Sequence, residues 1–122
     1  MENCKIAIIE DSSDHILFAR HRLEKEGHSV IAEAANLFAA LILLDQIDQG
    51  LSCDAILLDG NLSAGRKDYQ DAREINDRYK ELGLKVPIIG YSSGSLADLG
   101  IVKEDFDTKK NIDKMIRIVN SL

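Results

Sequence analysis

The amino-acid sequence predicts an α/β protein: a five-stranded, doubly wound parallel sheet in a three-layer α/β/α sandwich. Short apolar runs alternate with amphipathic helical segments along the whole chain, which is the pattern of repeated βαβ units. Three of these runs are apolar at nearly every position, as expected for strands that are covered on both faces. Right-handed crossovers between the strands would place helices on both sides of the sheet.

The strands are predicted from apolar runs that are bounded by polar or turn-forming residues. In chain order they are Lys5–Ile9, Ser29–Ala34, Ala55–Leu58, Val86–Tyr91 and Ile101–Phe106. The fifth strand is the weakest, because Lys103, Glu104 and Asp105 interrupt its apolar pattern.

The first two helices lie between capping residues and glycines. Either Ser12 or Ser13 can cap the first helix and Asn36 can cap the second, because their side-chain oxygens can accept hydrogen bonds from N–H groups of the first turn. The glycines that end the first three helices are Gly27, Gly50 and Gly83. The apolar positions assigned to the first two helices include Leu17 and Phe38.

The remaining helices are predicted from apolar spacing. The third helix has apolar residues at spacings of 3, 4 and 3, namely Ala72, Ile75, Tyr79 and Leu82. Residues 92–100 leave room for barely two turns, so the fourth helix is predicted to be short. The last helix is predicted over Lys110–Ser121, with a narrow apolar stripe that would dock on the sheet.

Length and charge indicate one small acidic domain. The chain of 122 residues is interpreted as a single domain, residues 1–122, without room for an effector domain. A net charge of −6 without a basic stripe argues against nucleic acid and anionic membranes as partners. Because no apolar stretch reaches about 18 residues and no signal peptide is present, a cytoplasmic protein is expected. A monomer is the expected state.

The cysteines and histidines show no metal-ligand spacing. Cys4 and Cys53 lie 49 residues apart and are expected to be reduced, buried side chains beside strands. The histidines, His15, His21 and His28, are interpreted as surface residues, with His15 at the rim of a site that begins one turn earlier.

Reactive side chains follow four of the predicted strands. Glu10 and Asp11 come directly after the first strand, and Asp59 follows the third. Ser92 follows the fourth strand and Lys109 the fifth. Ligands of open α/β sheets bind at the carboxyl ends of the strands, so these groups are expected to gather at one edge. Three carboxylates, a hydroxyl and an ammonium group suit a divalent cation and a phosphoryl group.

The chain resembles response-regulator receiver domains, the phospho-acceptor part of two-component signalling, from Lys5 to Leu122. The motifs that carry the resemblance stand in the family's order, each at the end of a strand. They are Ile8-Ile9-Glu10-Asp11, Ile56-Leu57-Leu58-Asp59, Pro87-Ile88-Ile89-Gly90-Tyr91-Ser92 and Asp105-Phe106-Asp107-Thr108-Lys109. The resemblance implies a flavodoxin-like sheet and Mg²⁺-dependent phosphorylation of an aspartate.

The resemblance implies a role for each residue of the site. Asp59 would be the nucleophile and form an acyl phosphate. Asp11 and Asp59 would bind Mg²⁺ directly, with Glu10 close by and the backbone carbonyl of Asn61 as the third protein ligand. Lys109 would neutralise charge on the phosphoryl oxygens.

The resemblance also implies a switch. Ser92 would donate a hydrogen bond to the phosphoryl group, and Phe106 would fill the space behind it. An ordinary turn or cap for Ser92 and a plain core position for Phe106 remain open as alternatives. Ser92 and Lys109 are only 17 positions apart, fewer than the family commonly has, and Lys110 replaces the usual proline. The output face is therefore expected to be altered.

A receiver of this kind would not be an enzyme toward external substrates. It would accept its phosphoryl group from a histidine kinase or a histidine phosphotransfer protein, which would contact the first helix at Ser13, Asp14 and Leu17 and the loop at Lys109 and Lys110. It would then dock on a downstream protein target or serve as a phosphorelay intermediate, and the sequence does not choose between these outputs.

Other classes of protein stay in view. One is an unphosphorylated receiver-like interaction module, which need not bind Mg²⁺. Another is an aspartate-nucleophile phosphatase, although Asn61 stands where that class carries a second acid. A flavin-binding flavodoxin is disfavoured, because the loop after the first strand is acidic and lacks the glycines that cradle a phosphate.

Overall fold

The computed structural model describes residues 3–59, 70–91 and 112–122, which form a parallel sheet with helices on both faces. In chain order the elements are β1 (Lys5–Ile9), α1 (Ser13–Lys25), β2 (Ser29–Ala34), α2 (Leu37–Asp48), β3 (Ala55–Leu58), α3 (Gln70–Leu82), β4 (Ile88–Gly90) and α4 (Ile112–Asn120). The strand order is β2-β1-β3-β4, and every neighbouring pair is parallel. The predicted α/β class with a parallel sheet is confirmed.

The described part of the sheet has four strands where the sequence predicts five. The predicted fifth strand, Ile101–Phe106, and the short fourth helix at 92–100 lie outside the described residues, as do Lys109 and Lys110. Among the helices that the structure describes, none has the length and apolar character needed to cross a membrane.

The sheet separates two apolar cores. All four residues of β3 and four of the five in β1 are buried, which explains why these strands are apolar throughout. On one face the core combines Ile6, Ile8 and Leu57 with side chains from α1 and α4. On the other face, residues of β1 and β3 pack against α2 and α3. The helices therefore cover both faces, as predicted.

The structure identifies the caps of the first two helices. Ser12, rather than Ser13, is the N-cap of α1, and its Oγ accepts a hydrogen bond from the His15 N–H at 3.4 Å. Asn36 caps α2 through its Oδ1, which accepts from the Ala39 N–H at 2.8 Å. The three predicted glycine stops, Gly27, Gly50 and Gly83, all have positive φ angles.

The fourth strand is shorter than predicted. The run Val86–Tyr91 was expected to be a strand, but β4 covers only Ile88–Gly90. Pro87 has no N–H to donate to a ladder. Backbone bonds nevertheless continue on both sides, because the Pro87 carbonyl accepts from Ile56 and the Tyr91 N–H donates to Leu58. The backbone of this run is therefore bonded to β3 as far as the carboxyl edge of the sheet.

Apolar residues of both α1 and α2 face solvent, among them Phe18 on α1 and Ile42 on α2. The Leu17 side chain on α1 is 61% exposed, and Phe38 on α2 is 76% exposed. The residues that do face the sheet in these helices are Ala19, Leu23, Ala40, Leu43, Leu44 and Ile47. Apolar character alone therefore overstated the width of the buried stripe in both helices.

His28 is buried, so its interpretation as a surface residue is wrong. Its Nδ1 accepts a hydrogen bond from the Cys4 N–H at 3.0 Å, and its Nε2 lies 2.7 Å from Asn120 Oδ1. Because Nδ1 acts as an acceptor, the ring proton is on Nε2 and is donated to Asn120. His28 thus joins the start of the sheet to the end of α4. Cys4 is buried and Cys53 is half-buried, and both are free thiols.

Candidate functional site

Three carboxylates meet at the carboxyl ends of β1 and β3. Each of Glu10, Asp11 and Asp59 offers an oxygen atom, and these atoms all lie within 4.8 Å of one another. The two strands are neighbours in the sheet, with Ile9 paired to Leu58, so the residues that follow them arrive side by side. The sequence-based expectation that these three acids gather at one edge therefore agrees with their positions in the structure.

The sheet topology explains why the acids meet between these two strands. From β1 the chain first moves outward to β2 and then crosses to β3 on the other side, so β1 and β3 flank a topological switch point. Helices leave this point toward opposite faces, which opens a crevice at the carboxyl ends of the strands. The acidic cluster occupies this crevice.

The backbone of the cluster is held by extensions of the ladder. The Asp59 N–H donates to the Ile9 carbonyl at 2.9 Å, and the Glu10 N–H donates to the Ala34 carbonyl at the same distance. Both acids therefore begin from fixed backbone positions beyond the ends of β3 and β1. Asp11 follows in the short connection to α1, so its place depends on where that helix begins.

The three acids differ in their exposure to solvent. Glu10 is fully buried, Asp59 is 9% exposed, and Asp11 is exposed. The Glu10 carboxylate accepts a hydrogen bond from the Ser12 N–H through Oε2 at 3.1 Å. The cluster is therefore buried on the side of Glu10 and open to solvent on the side of Asp11.

The three carboxylates repel one another, and a bound cation would offset this repulsion. Two carboxylates about 4 Å apart repel by roughly 4 kcal/mol at an effective dielectric of 20, and a third adds to this. Clustered hard oxygen ligands beside an open side fit Mg²⁺, which prefers carboxylates and retains several of its waters. The donor set of this structure therefore fits a hard divalent cation.

His15 and Tyr91 lie next to the acidic cluster. His15 Nδ1 lies 3.7 Å from Glu10 Oε1, and its ring meets the Tyr91 ring edge-on, with centroids 6.4 Å apart. The Tyr91 hydroxyl donates to the His15 carbonyl at 3.0 Å. Burial raises the pKa of Tyr91, and the charges of Glu10 and Asp59 raise it further. The phenol therefore remains a protonated hydrogen-bond donor next to the acids.

Sequence reasoning placed His15 at the rim but did not identify Tyr91 as part of the site. Tyr91 was included only as the last residue of an apolar strand. A tyrosine immediately before the predicted switch serine is the one available hint, since a buried tyrosine usually finds a partner for its hydroxyl. The predicted site residues Asn61, Ser92, Phe106 and Lys109 lie outside the described residues.

Apolar residues are exposed beside the cluster on α1. Leu17 is 61% exposed and Phe18 is 51% exposed, one turn beyond the start of the helix. Ser13 and Asp14, in the first turn, are exposed as well. This end of α1 therefore presents a mixed polar and apolar surface next to Asp11.

No protein-family model matches the chain, and no curated protein matches it in sequence. Solved structures do match it. The receiver domain of the histidine kinase CKI1 from Arabidopsis thaliana, complexed with Mg²⁺ and BeF₃⁻, is 22% identical with a TM-score of 0.66, and the match covers 98% of this chain and 91% of that one.

Two further structures extend the comparison. A two-component response regulator of the LuxR family from Aurantimonas sp. SI85-9A1 is 15% identical with a TM-score of 0.71, covering 98% of this chain and 84% of that one. The response regulator PhyR from Brucella abortus is 22% identical with a TM-score of 0.57 over 75% of this chain. The match spans only 34% of PhyR, so the likeness concerns one part of that protein. The chain has the fold of response-regulator receiver domains.

Proposed function

We propose that this protein is a phospho-acceptor receiver of a two-component or phosphorelay system, phosphorylated on Asp59. The observation that carries the proposal is the group of three carboxylates at adjacent strand ends, within a receiver fold. Asp59 is the chosen nucleophile because it follows β3 directly and its backbone is fixed by the Ile9 carbonyl. An oxygen of its carboxylate can therefore be aimed into the crevice.

The transfer step is an in-line displacement at phosphorus. A carboxylate oxygen of Asp59 forms the new P–O bond while the P–N bond of a donor phosphohistidine breaks. The electron pair of the broken bond returns to the imidazole, and the product is an aspartyl phosphate. Catalysis of this kind depends on positioning and charge neutralisation, with little covalent chemistry for other residues.

Asp11 and Asp59 are the proposed direct ligands of Mg²⁺, and the backbone carbonyl of Asn61 is the proposed third protein ligand. Glu10 would lie close to the ion. When bound, Mg²⁺ would neutralise charge on the phosphoryl oxygens. The buried Glu10 carboxylate accepts a hydrogen bond from the Ser12 N–H and so fixes the turn that contains Asp11. The proposed contribution of Lys109 is a second positive charge on the phosphoryl group.

The proposed switch involves Ser92 and Phe106. A new phosphoryl group would draw the Ser92 hydroxyl toward it, and Phe106 would move into the space behind. Phosphorylation shifts the equilibrium between the two conformations only to the extent that the phosphoryl group interacts differently with each of them. A downstream protein would then read the altered surface.

The first experiment measures the intact mass of the protein after incubation with acetyl phosphate, with and without Mg²⁺. We expect the wild type to gain one phosphoryl group only with Mg²⁺, and Asp59→Asn to gain none. The variant is nearly isosteric, so loss of the gain reports chemistry rather than misfolding. No gain in the wild type, together with no Mg²⁺ binding, would favour an unphosphorylated receiver-like interaction module.

The proposed phosphoryl donor docks on the start of α1. The exposed Leu17 and Phe18 supply apolar contact area, and both lie within two turns of Asp11. We expect Leu17→Asp to slow transfer from the cognate phosphohistidine protein by tenfold or so, the loss typical of a hot-spot contact. Phosphorylation by acetyl phosphate should be unchanged.

A matched control is available on the other face of the sheet. Phe38→Asp changes another exposed apolar residue, on α2 and away from the proposed docking surface. It should leave both reactions unaltered. Equal transfer rates for Leu17→Asp and the wild type would argue against docking on α1, while the phosphorylation chemistry would stand.

A further inference from the structure

Tyr91 links the sheet to the first turn of α1. Among the residues that the structure describes, it is the largest of the fully buried side chains, and its backbone N–H donates to the Leu58 carbonyl at 2.8 Å. The backbone of Tyr91 is therefore fixed to β3 at Leu58, one residue before Asp59. At its other end, the hydroxyl donates to the His15 carbonyl at 3.0 Å, across 76 residues of sequence.

The first turn of α1 is in turn connected to the acidic cluster. The Ser12 N–H donates to Glu10 Oε2, and Ser12 Oγ accepts from the His15 N–H. Asp11 lies between Glu10 and Ser12, so its position follows that of the first turn. The Tyr91 hydroxyl is thus a contact that ties this turn, and Asp11 with it, to the strand that ends in Asp59, in addition to the pairing of β1 with β3.

We propose that Tyr91 is a positioning residue that sets the placement of Asp11 relative to Asp59 and thereby the affinity of the acidic cluster for a divalent cation. The inference rests on the proposed function, because it concerns the cation site of that function. Tyr91 is not proposed as a ligand of the cation or of the phosphoryl group, because its hydroxyl donates to the His15 carbonyl. It acts through the carbonyl of His15 and the turn that carries Asp11.

The competing explanation is that Tyr91 only fills the core. Its ring packs in the core between the sheet, α1 and α4, so part of its contribution is structural under either explanation. Tyr91→Phe separates the two, because it keeps the ring and removes only the hydroxyl. A structural hydroxyl would affect unfolding without changing the cation affinity of the folded protein.

The chain supplies a matched control in Tyr79. Its hydroxyl also donates to a backbone carbonyl, that of Val86, at 2.6 Å. Tyr79 lies on α3, on the opposite face of the sheet from Tyr91. Tyr79→Phe therefore removes the same kind of hydrogen bond without disturbing the turn that holds Asp11.

The test measures Mg²⁺ affinity by isothermal titration calorimetry for the wild type, Tyr91→Phe and Tyr79→Phe. We expect Tyr91→Phe to weaken binding by about three- to tenfold, the effect of one lost hydrogen bond, and Tyr79→Phe to leave it unchanged. Amide hydrogen exchange without metal gives a second readout. The His15 and Ile16 amides should exchange faster in Tyr91→Phe and at the wild-type rate in Tyr79→Phe.

The outcomes separate this inference from the proposed function. Unchanged Mg²⁺ affinity in Tyr91→Phe, or equal weakening in both variants, would overturn the positioning role and leave the receiver assignment standing. A wild-type protein that binds no Mg²⁺ would overturn both. Weaker binding confined to Tyr91→Phe, with faster exchange in the first turn of α1, would support the inference.

Discussion

The two ends of the sheet differ in how their polar groups are arranged. At the amino end, His28 accepts from the Cys4 N–H and donates to Asn120, and Asp54 Oδ2 accepts from the Lys5 N–H at 2.7 Å. Each of these donors meets an acceptor. At the carboxyl end, Glu10, Asp11 and Asp59 bring three like charges within 4.8 Å.

The contrast separates residues that stabilise the fold from residues that the fold holds for chemistry. Paired polar groups at the amino end stabilise the native state, because breaking a pair leaves a buried group without a partner. Gathered carboxylates at the carboxyl end repel one another, and unfolding would relieve that repulsion. Removing a polar group should therefore lower stability at one end and raise it at the other.

The largest effect is expected for His28→Leu at the amino end. The change removes both hydrogen bonds of the buried ring, the one from the Cys4 N–H and the one to Asn120 Oδ1. We expect the free energy of unfolding to fall by about 2 to 3 kcal/mol, measured by urea denaturation. His21→Leu, at an exposed position of α1, serves as the control and should change it by less than about 0.5 kcal/mol.

Phosphorylation provides the second half of this test. His28→Leu lies at the far end of the sheet from the acids, so the folded variant should accept a phosphoryl group from acetyl phosphate at the wild-type rate. An unchanged urea midpoint in His28→Leu would show that the two hydrogen bonds are not a source of stability, and the comparison between the ends would fail.

The opposite sign is expected for Asp59→Asn at the carboxyl end. With EDTA present, replacing one of three clustered carboxylates by a neutral amide should raise the free energy of unfolding by about 1 kcal/mol. Adding Mg²⁺ should reverse the order, because a ligand that binds only the native state stabilises the wild type by about 2.7 kcal/mol at 100 times its dissociation constant.

Salt sharpens this prediction. Repulsion among partly exposed charges is screened as ionic strength rises, so the advantage of Asp59→Asn in EDTA should shrink between low and high sodium chloride. A variant that is less stable than the wild type in EDTA at low salt would mean that the Asp59 carboxylate stabilises the fold. The acidic end would then resemble the amino end.

The sequence was most informative where local pattern and chemistry coincide. The strands Lys5–Ile9 and Ala55–Leu58 and the cap at Asn36 follow from apolar runs and capping preference, and the structure has them at the same residues. The meeting of Glu10 with Asp59 could be predicted as well, because parallel strands end at a common edge. These features need only short-range pattern and topology.

Contacts between distant segments could not be predicted in this way. His28 looks like a polar residue after a helix-ending glycine, and its burial depends on Asn120 at the far end of the chain. Tyr91 reads as the end of a strand, and its bond to His15 spans 76 residues. Leu17 and Phe38 read as core positions, yet both lie outside the buried face of their helices. Each case requires the packing of elements, which periodicity does not contain.

The smallest effect concerns the alkaline limb of the stability profile. Burial first, and then the charges of Glu10 and Asp59, raise the pKa of Tyr91 above its ordinary value of 10.0. The unfolded chain therefore releases this proton before the native state does, and stability falls as the pH rises above 10, by at most about 1.4 kcal/mol per pH unit. Below that pH the group is protonated in both states and contributes no slope.

Tyr91→Phe should remove this contribution. In urea denaturation, the wild type should be more stable than Tyr91→Phe at pH 8. The difference in their free energies of unfolding should narrow by about 1 kcal/mol toward pH 11, because the contributions of other titrating groups cancel in that difference. Tyr79→Phe retains Tyr91 and should keep most of the wild-type slope. A difference that stays constant with pH would mean that the native state does not raise the pKa of the Tyr91 phenol, contrary to its burial beside Glu10 and Asp59.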